Sequence, residues 1–155
     1  MKKKLRIISG ILFILYLAGL AYFLFFSEKY GRNEVESYSY NLVPFAEIKR
    51  FIQYREVLGK RSVILNLIGN VIGFLPFGFI LPLLFSEVRR LSTVFLLSLE
   101  FSLLVECLQL ITRVGSFDVD DLILNTFGGL LGGILFFVGK AGYHCFSGHR
   151  KGREK

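Results

Sequence analysis

Cysteine and histidine are scarce in this 155-residue chain, which has two of each. Cys107 and Cys145 do not have the spacing of metal ligands, and we expect no disulfide because the first falls in a predicted membrane helix and the second in a tail. No histidine lies among the acidic residues, no serine or cysteine stands beside a base, and there is no phosphate-binding loop. These absences argue against a nucleophilic enzyme. We predict no metal ion and no cofactor.

Long apolar runs dominate the sequence instead. The chain is 53% hydrophobic with a mean hydropathy of +0.55, which is more apolar than a typical soluble domain. A membrane-spanning helix needs about 20 mostly apolar residues. The sequence predicts an all-α fold, a polytopic membrane protein whose single domain (1–155) is a four-helix transmembrane bundle. Its predicted parts are helices over 5–26, 63–85, 91–112 and 122–138, an outer loop over 27–61 and a basic cytoplasmic tail over 139–155.

The first apolar stretch begins with basic residues, as a secretory signal peptide does. Its apolar run is longer than the roughly 7–15 residues of such a segment, so we predict a retained helix.

Lysine and arginine near the helix ends predict the orientation of the bundle. Eleven of the 19 lie at the N-terminus, in the short loop with Arg89 and Arg90, and in the C-terminal tail, whereas the longer segment 27–61 carries seven together with five glutamates. These three segments fall on one side, which we expect to be the cytoplasm, so both termini are predicted to be cytoplasmic. Basic residues beside helix ends meet anionic lipid. No aromatic–basic motif accompanies them, so we expect no nucleic-acid partner.

Polar residues inside the apolar stretches are candidates for function, because each costs free energy in lipid unless it is paired or used. Asn66 and Asn70 share a face of the second helix. Glu106, Gln109 and Arg113 form a stripe at i, i+3 and i+7 on the third, with Glu106 about 9 Å below its outer end.

The approach to the fourth helix repeats this spacing. Asp118, Asp121 and Asn125 share a face if that helix starts early, whereas in the alternative Asp118 is an N-cap and Asp121 the third helical residue. The three sets predict a ligand-binding cleft near the outer leaflet, although the amides would equally suit hydrogen bonds between helices. The expected lining is Asn66, Asn70, Glu106, Gln109, Arg113, Asp118, Asp121 and Asn125. Glu100 lies on another face, nearer the midplane, and its role is left open.

Glycine pairs spaced four apart allow helices to approach closely. Gly69 and Gly73 form one such pair on the second helix. On the fourth, the pairs formed by Gly128, Gly129, Gly132 and Gly133 could also join copies of the chain into an oligomer.

Several short sequence motifs of this chain occur together in one known family. They are NLVPF from Asn41, NLIGN from Asn66, FLPFG from Phe74, Pro82, ECLQ from Glu106, Arg113, FD from Phe117, Asp121 and NTFG from Asn125. In order and spacing, over roughly residues 41–133, the chain resembles VanZ-like membrane proteins. Named members of that family are associated with resistance to the glycopeptide antibiotic teicoplanin, so the resemblance implies a cell-envelope protein linked to such resistance.

Two main functions are compatible with this sequence. In the first, a non-catalytic protein binds a membrane lipid, a lipid-linked wall precursor or a lipoglycopeptide, with Arg113 matched to a phosphate or carboxylate. The alternative is a membrane enzyme that acts on a lipid or polyprenyl-phosphate head group through Glu106, Asp118 and Asp121. In that case Asp120 could join them around a divalent metal, or one carboxylate could be a general base. A transporter is disfavoured because no inverted repeat is visible.

Overall fold

The computed structural model describes residues 3–26 and 39–151. Within these ranges six helices and two short strands alternate along the chain. They are α1 (Lys3–Phe26), β1 (Tyr40–Asn41), α2 (Ala46–Gln53), α3 (Arg55–Leu58), α4 (Lys60–Leu84), α5 (Leu91–Thr112), β2 (Phe117–Asp118) and α6 (Val119–Lys151).

Four of the helices are long and apolar enough to cross a membrane. These spans are Arg6–Phe26, Val63–Leu84, Leu91–Thr112 and Val119–Tyr143. The predicted all-α fold with four membrane-spanning helices is therefore confirmed, and the chain is a membrane protein. The α4 helix is continuous through Pro76 and Pro82.

The connecting segments differ from the prediction in two places. The outer loop predicted over 27–61 contains α2, α3 and the first residues of α4, while its residues 27–38 lie outside the described part. The fourth spanning helix begins at Val119 and continues to Lys151, through most of the predicted tail. The helix starts early because Asp118 caps it, as described below. It continues far because no proline follows to end it.

The centre of the bundle is the contact between α4 and α6. A Cβ atom built on Gly128 would lie 2.2 Å from the Val71 carbonyl oxygen, and one on Gly132 would lie 2.0 Å from that of Leu75. Gly129 and Gly133 instead face α5, against Ser98 and Val94. The four glycines predicted as an oligomer face therefore lie inside one chain, where they let the helix backbones touch. An oligomer stays a prediction and needs another surface.

A hydrogen bond and apolar contacts hold α1 to α4. The Tyr16 hydroxyl donates to the Gly73 carbonyl oxygen at 2.7 Å, and Leu20 and Leu24 are buried against Phe74 and Val105. Small residues on α4 thus face α1 as well as α6.

The two strands form a minimal parallel pair, with Tyr40 opposite Phe117 and Asn41 opposite Asp118. The pair joins the segment before α4 to the segment before α6. Both segments must therefore lie on the same side of the membrane. We call this side the strand end of the bundle.

Candidate functional site

Four carboxylates, Glu106, Asp118, Asp120 and Asp121, lie at the strand end, and we call them the carboxylate cluster. Glu106 is only 1% exposed, and its Oε2 accepts a hydrogen bond from the Asp118 backbone N–H at 3.0 Å. This bond links α5 to the start of α6. A buried carboxylate is tolerated where N–H donors satisfy it.

Asp118 connects the strands to α6. Its Oδ1 accepts hydrogen bonds from the Asn41 side-chain amide at 3.2 Å and from the Asp120 N–H at 2.8 Å. The second bond is that of an N-cap residue, so the structure selects the capping alternative that the sequence left open. Burial raises the pKa of Asp118, and the charge of Asp120 adds to the rise, while the two hydrogen bonds oppose it.

Asp120 satisfies the beginning of another helix. Its two oxygens accept hydrogen bonds from the backbone N–H groups of Phe45, of Glu47 at 2.8 Å and of Ile48 at 3.0 Å. The N-cap residue of α2 is Phe45, which has a left-handed backbone (φ 65°) and no side-chain oxygen. Asp120 therefore replaces the cap that α2 lacks, and its charge complements the positive end of the helix.

Glu47 lies beside these carboxylates, at the start of α2. Burial raises the pKa of Glu47, the charges of Asp118 and Asp120 add to the rise, and Arg50 opposes it. The Arg50 guanidinium pairs with the Glu47 carboxylate at 2.5 Å. The strand end thus concentrates negative charge beneath α2.

Two further pairs tie α6 to its neighbours. The Asn70 side-chain amide on α4 donates to Asp121 Oδ1 at 2.5 Å. The Asn125 amide donates to the Ser102 hydroxyl on α5 at 3.0 Å, while the Asn125 Oδ1 has no hydrogen-bond partner among the described residues. Asn70 and Asn125 thus each join two helices, and the contact of these amides with a ligand stays a prediction.

The predicted stripe on α5 divides in the structure. Gln109 is buried and donates to the Leu24 carbonyl oxygen at 3.2 Å, which satisfies a carbonyl left open near the end of α1. Glu106 instead faces the start of α6. Arg113 departs from the stripe because its backbone is left-handed (φ 57°) and ends the helix, which leaves its side chain exposed.

Glu100 on α5 and Asn66 on α4 are both more exposed than Glu106. Glu100 is exposed whereas Glu106 is buried, so the two glutamates lie on different faces, as their spacing predicts. Asn66 is half-buried on α4, one turn before Asn70.

Sequence reasoning missed the roles of Asn41 and Asp120. Asn41 belongs to the NLVPF run, but its partner Asp118 is 77 positions away. Asp120 entered only as a possible metal ligand. The sequence signal that could have pointed to Asp120 was a missing cap, since α2 begins without a serine, threonine, aspartate or asparagine that could cap it.

Three of the acidic side chains at the strand end are each engaged with a different part of the backbone. Within residues 3–26 and 39–151 there is no group of three or more histidine, cysteine, aspartate or glutamate side chains placed to hold a metal ion. Glu106, Asp118 and Asp120 accept hydrogen bonds from backbone N–H groups instead.

Apolar grooves flank the polar end. One of about 280 Å³ lies between α5 and α6 and includes Phe95, Thr126 and, next to Asp121, Leu122. Another of about 220 Å³ lies between α1 and α5, lined by residues such as Leu17, Leu24 and Leu108. Both have the apolar lining that a hydrocarbon chain requires.

Comparison with known proteins agrees with the resemblance seen in the motifs. A family model described as VanZ/LLP1 matches residues 13–140. Protein VanZ of Enterococcus faecium is 37% identical over 130 residues, which cover 82% of this chain and 72% of that protein. No solved structure matches the chain. Since the family model covers most of the sequence, this four-helix membrane protein belongs to the VanZ/LLP1 family.

Proposed function

We propose that this protein binds an amphiphile at the outer leaflet of the cell membrane and does not transform it. The ligand is a membrane lipid, a lipid-linked wall precursor or a lipoglycopeptide. The observation that carries the proposal is the convergence of polar side chains from α4, α5 and α6 at one end of an apolar bundle. Polar groups at membrane depth are rare without a function.

The residues divide between contact and support. The half-buried Asn70 and Asp121 and the exposed Arg113 meet the head group, and the guanidinium suits a phosphate or carboxylate. Glu106 and Asp118 are positioning residues, because both are buried and their oxygens accept backbone hydrogen bonds. The groove between α5 and α6 takes a hydrocarbon chain, since Leu122 follows Asp121 directly.

In this proposal the strand end faces outward and both termini are cytoplasmic. The basic residues at the N-terminus, at Arg89 and Arg90, and in the C-terminal tail support this orientation. Family membership supports a link to teicoplanin resistance. A protein that holds a lipoglycopeptide or a wall precursor at the outer leaflet would keep the antibiotic from its target.

Native mass spectrometry of the detergent-purified protein tests the proposal. Wild type is expected to carry a lipid or polyprenyl-linked adduct, Arg113→Ala to lose it, and Glu106→Gln to carry less of it. Glu100→Gln is the matched control, since it changes an exposed carboxylate on the same helix, and it should keep the adduct. Four folded proteins without any adduct would contradict the proposal.

A cellular measurement examines the antibiotic link separately. Expression in a susceptible Gram-positive host should raise the teicoplanin concentration needed to stop growth. Arg113→Ala and Glu106→Gln should abolish the increase at equal membrane abundance, whereas Glu100→Gln should retain it. Unchanged susceptibility with wild type, despite a lipid adduct, would separate lipid binding from resistance.

The enzyme alternative has no specific observation in its favour. Glu106 Oε2 and Asp118 Oδ1 accept hydrogen bonds from neighbouring groups, which favours a positioning role over proton transfer or metal binding. A divalent metal retained by wild type and lost in Asp118→Asn and Asp121→Asn would favour it.

A further inference from the structure

Residues 42–58, which we call the α2–α3 segment, expose an unusual amount of apolar surface. Val57 is 84% exposed, Val43 64%, Leu42 59% and Ile52 55%. Phe45 and Tyr54 are also more than half exposed. Single exposed apolar residues are ordinary, but a concentration of them in 17 positions marks a surface that interacts with a membrane or with another protein.

Both ends of this segment are fixed to the membrane-spanning bundle. On one side, Asn41 bonds to Asp118 and the Asp120 carboxylate holds the first turn of α2. On the other, Gly59 alone separates α3 from α4. The span of α4 begins at Val63, five residues after the end of α3 at Leu58. The segment is therefore held at the edge of the bilayer.

The charged residues of the segment suit the head-group region. Lys49, Arg50 and Arg55 are exposed, and the Arg50 guanidinium lies 5.3 Å from the centre of the Phe51 ring. Lysine and arginine beside apolar side chains can reach phosphate groups while their stems contact hydrocarbon. A groove of about 400 Å³ between α3 and α4, lined by Arg55, Glu56, Val63 and Ile64, opens at the same level.

We propose that the α2–α3 segment lies in the head-group region of the bilayer and binds the lipid surface there. The segment contacts the lipid leaflet on the strand side. This contact does not depend on the ligand proposed above. Leu42, Val43, Ile52 and Val57 enter the boundary between head groups and acyl chains, as interfacial helices do. Lipid contact thus keeps α2 in place over the carboxylate cluster.

Tryptophan fluorescence tests this inference without background, because the chain contains no tryptophan. Val57→Trp and Ile52→Trp are made separately in the full-length protein and reconstituted into phosphatidylcholine–phosphatidylglycerol vesicles. Both positions are exposed, so each ring can be accommodated. Ile14→Trp, in the middle of α1 and 67% exposed, is the reference for deep lipid contact.

Lipids brominated near the carbonyl end of the acyl chain should quench the Val57→Trp and Ile52→Trp variants more than lipids brominated near the methyl end. The order should reverse for the Ile14→Trp variant. Iodide in the buffer should quench both segment variants less than free tryptophan amide. Strong iodide quenching without bromine quenching would overturn the proposal in favour of a solvated loop. Protection from both quenchers would overturn it in favour of a protein partner, such as a second copy.

Discussion

At the residue scale, the unusual feature is a helix whose cap comes from a distant part of the chain. The first turn of α2 begins at Phe45, which cannot accept a hydrogen bond through its side chain, and Asp120 accepts from three of the open N–H groups. Asp120 is 1% exposed, so its carboxylate is shielded from water. One carboxylate thereby fixes a surface helix to the membrane bundle.

Asp120→Asn should loosen α2 without unfolding the bundle. The amide keeps the shape but has one acceptor oxygen and no charge, so about 1–2 kcal/mol of local stability should be lost. That loss corresponds to a roughly 5–30-fold increase in opening. Hydrogen exchange of peptides covering residues 45–50 measures it, with the exposed Glu87→Gln as control. Wild-type exchange rates in Asp120→Asn would show that the cap is not needed.

At the element scale, the bundle depends on backbone contact between α4 and α6. Gly78 lies so close to Gly129 that a Cβ would be 1.8 Å from the Gly129 carbonyl oxygen. In lipid, helices gain little from burying apolar surface, so close packing of small residues carries much of the association. The same approach brings Asn70 within hydrogen-bond reach of Asp121. The hydrogen bond between Asn70 and Asp121 therefore depends on the close packing of the glycines of α4 and α6.

Gly128→Ala should destabilise the protein, because its Cβ would meet the Val71 carbonyl and the two helices would have to separate. The expected cost is about 1–3 kcal/mol, as for other overpacked cores. Gly139→Ala is the matched control on α6, with no atom within 4 Å of the new methyl group. It should be neutral or stabilising by up to about 1 kcal/mol through helix propensity. Thermal unfolding in detergent compares them, and equal stability would contradict the packing argument.

At the scale of the whole molecule, the β1–β2 pair defines a common side. It joins the segment between the first two spans to the segment between the last two. Four spans then put both termini on the opposite side, together with the loop containing Ser86. Which side faces the cytoplasm stays a prediction from the distribution of lysine and arginine.

Cysteine labelling in intact cells tests that orientation. The background is Cys107→Ser/Cys145→Ser, which we expect to be silent because the sequence gives neither cysteine a role; the Cys145 side chain lies outside the described part. Ser39→Cys and Ser116→Cys, both exposed at the strand end, should react with a membrane-impermeant maleimide. Ser86→Cys, also exposed, should react only after permeabilisation. The reverse pattern would invert the topology, and a background variant that fails to fold would show that the cysteines matter.

The class of this protein could be predicted from its sequence alone. Apolar runs of spanning length are local, and so is the six-residue separation that puts Glu100 and Glu106 on different faces of α5. The motif runs likewise identified the family. Each of these signals can be read within one helix, without knowledge of its neighbours.

Which polar groups meet depends on the tertiary packing. The partners of Asp120 lie 72 to 75 positions away, and Gln109 bonds to α1 rather than following Glu106 toward α6. The glycine faces were visible in the sequence, but their use within one chain was not, because the same small surface fits a neighbouring helix or another copy. Helical periodicity says which side chains share a face, whereas the element that covers that face depends on the packing of the whole chain.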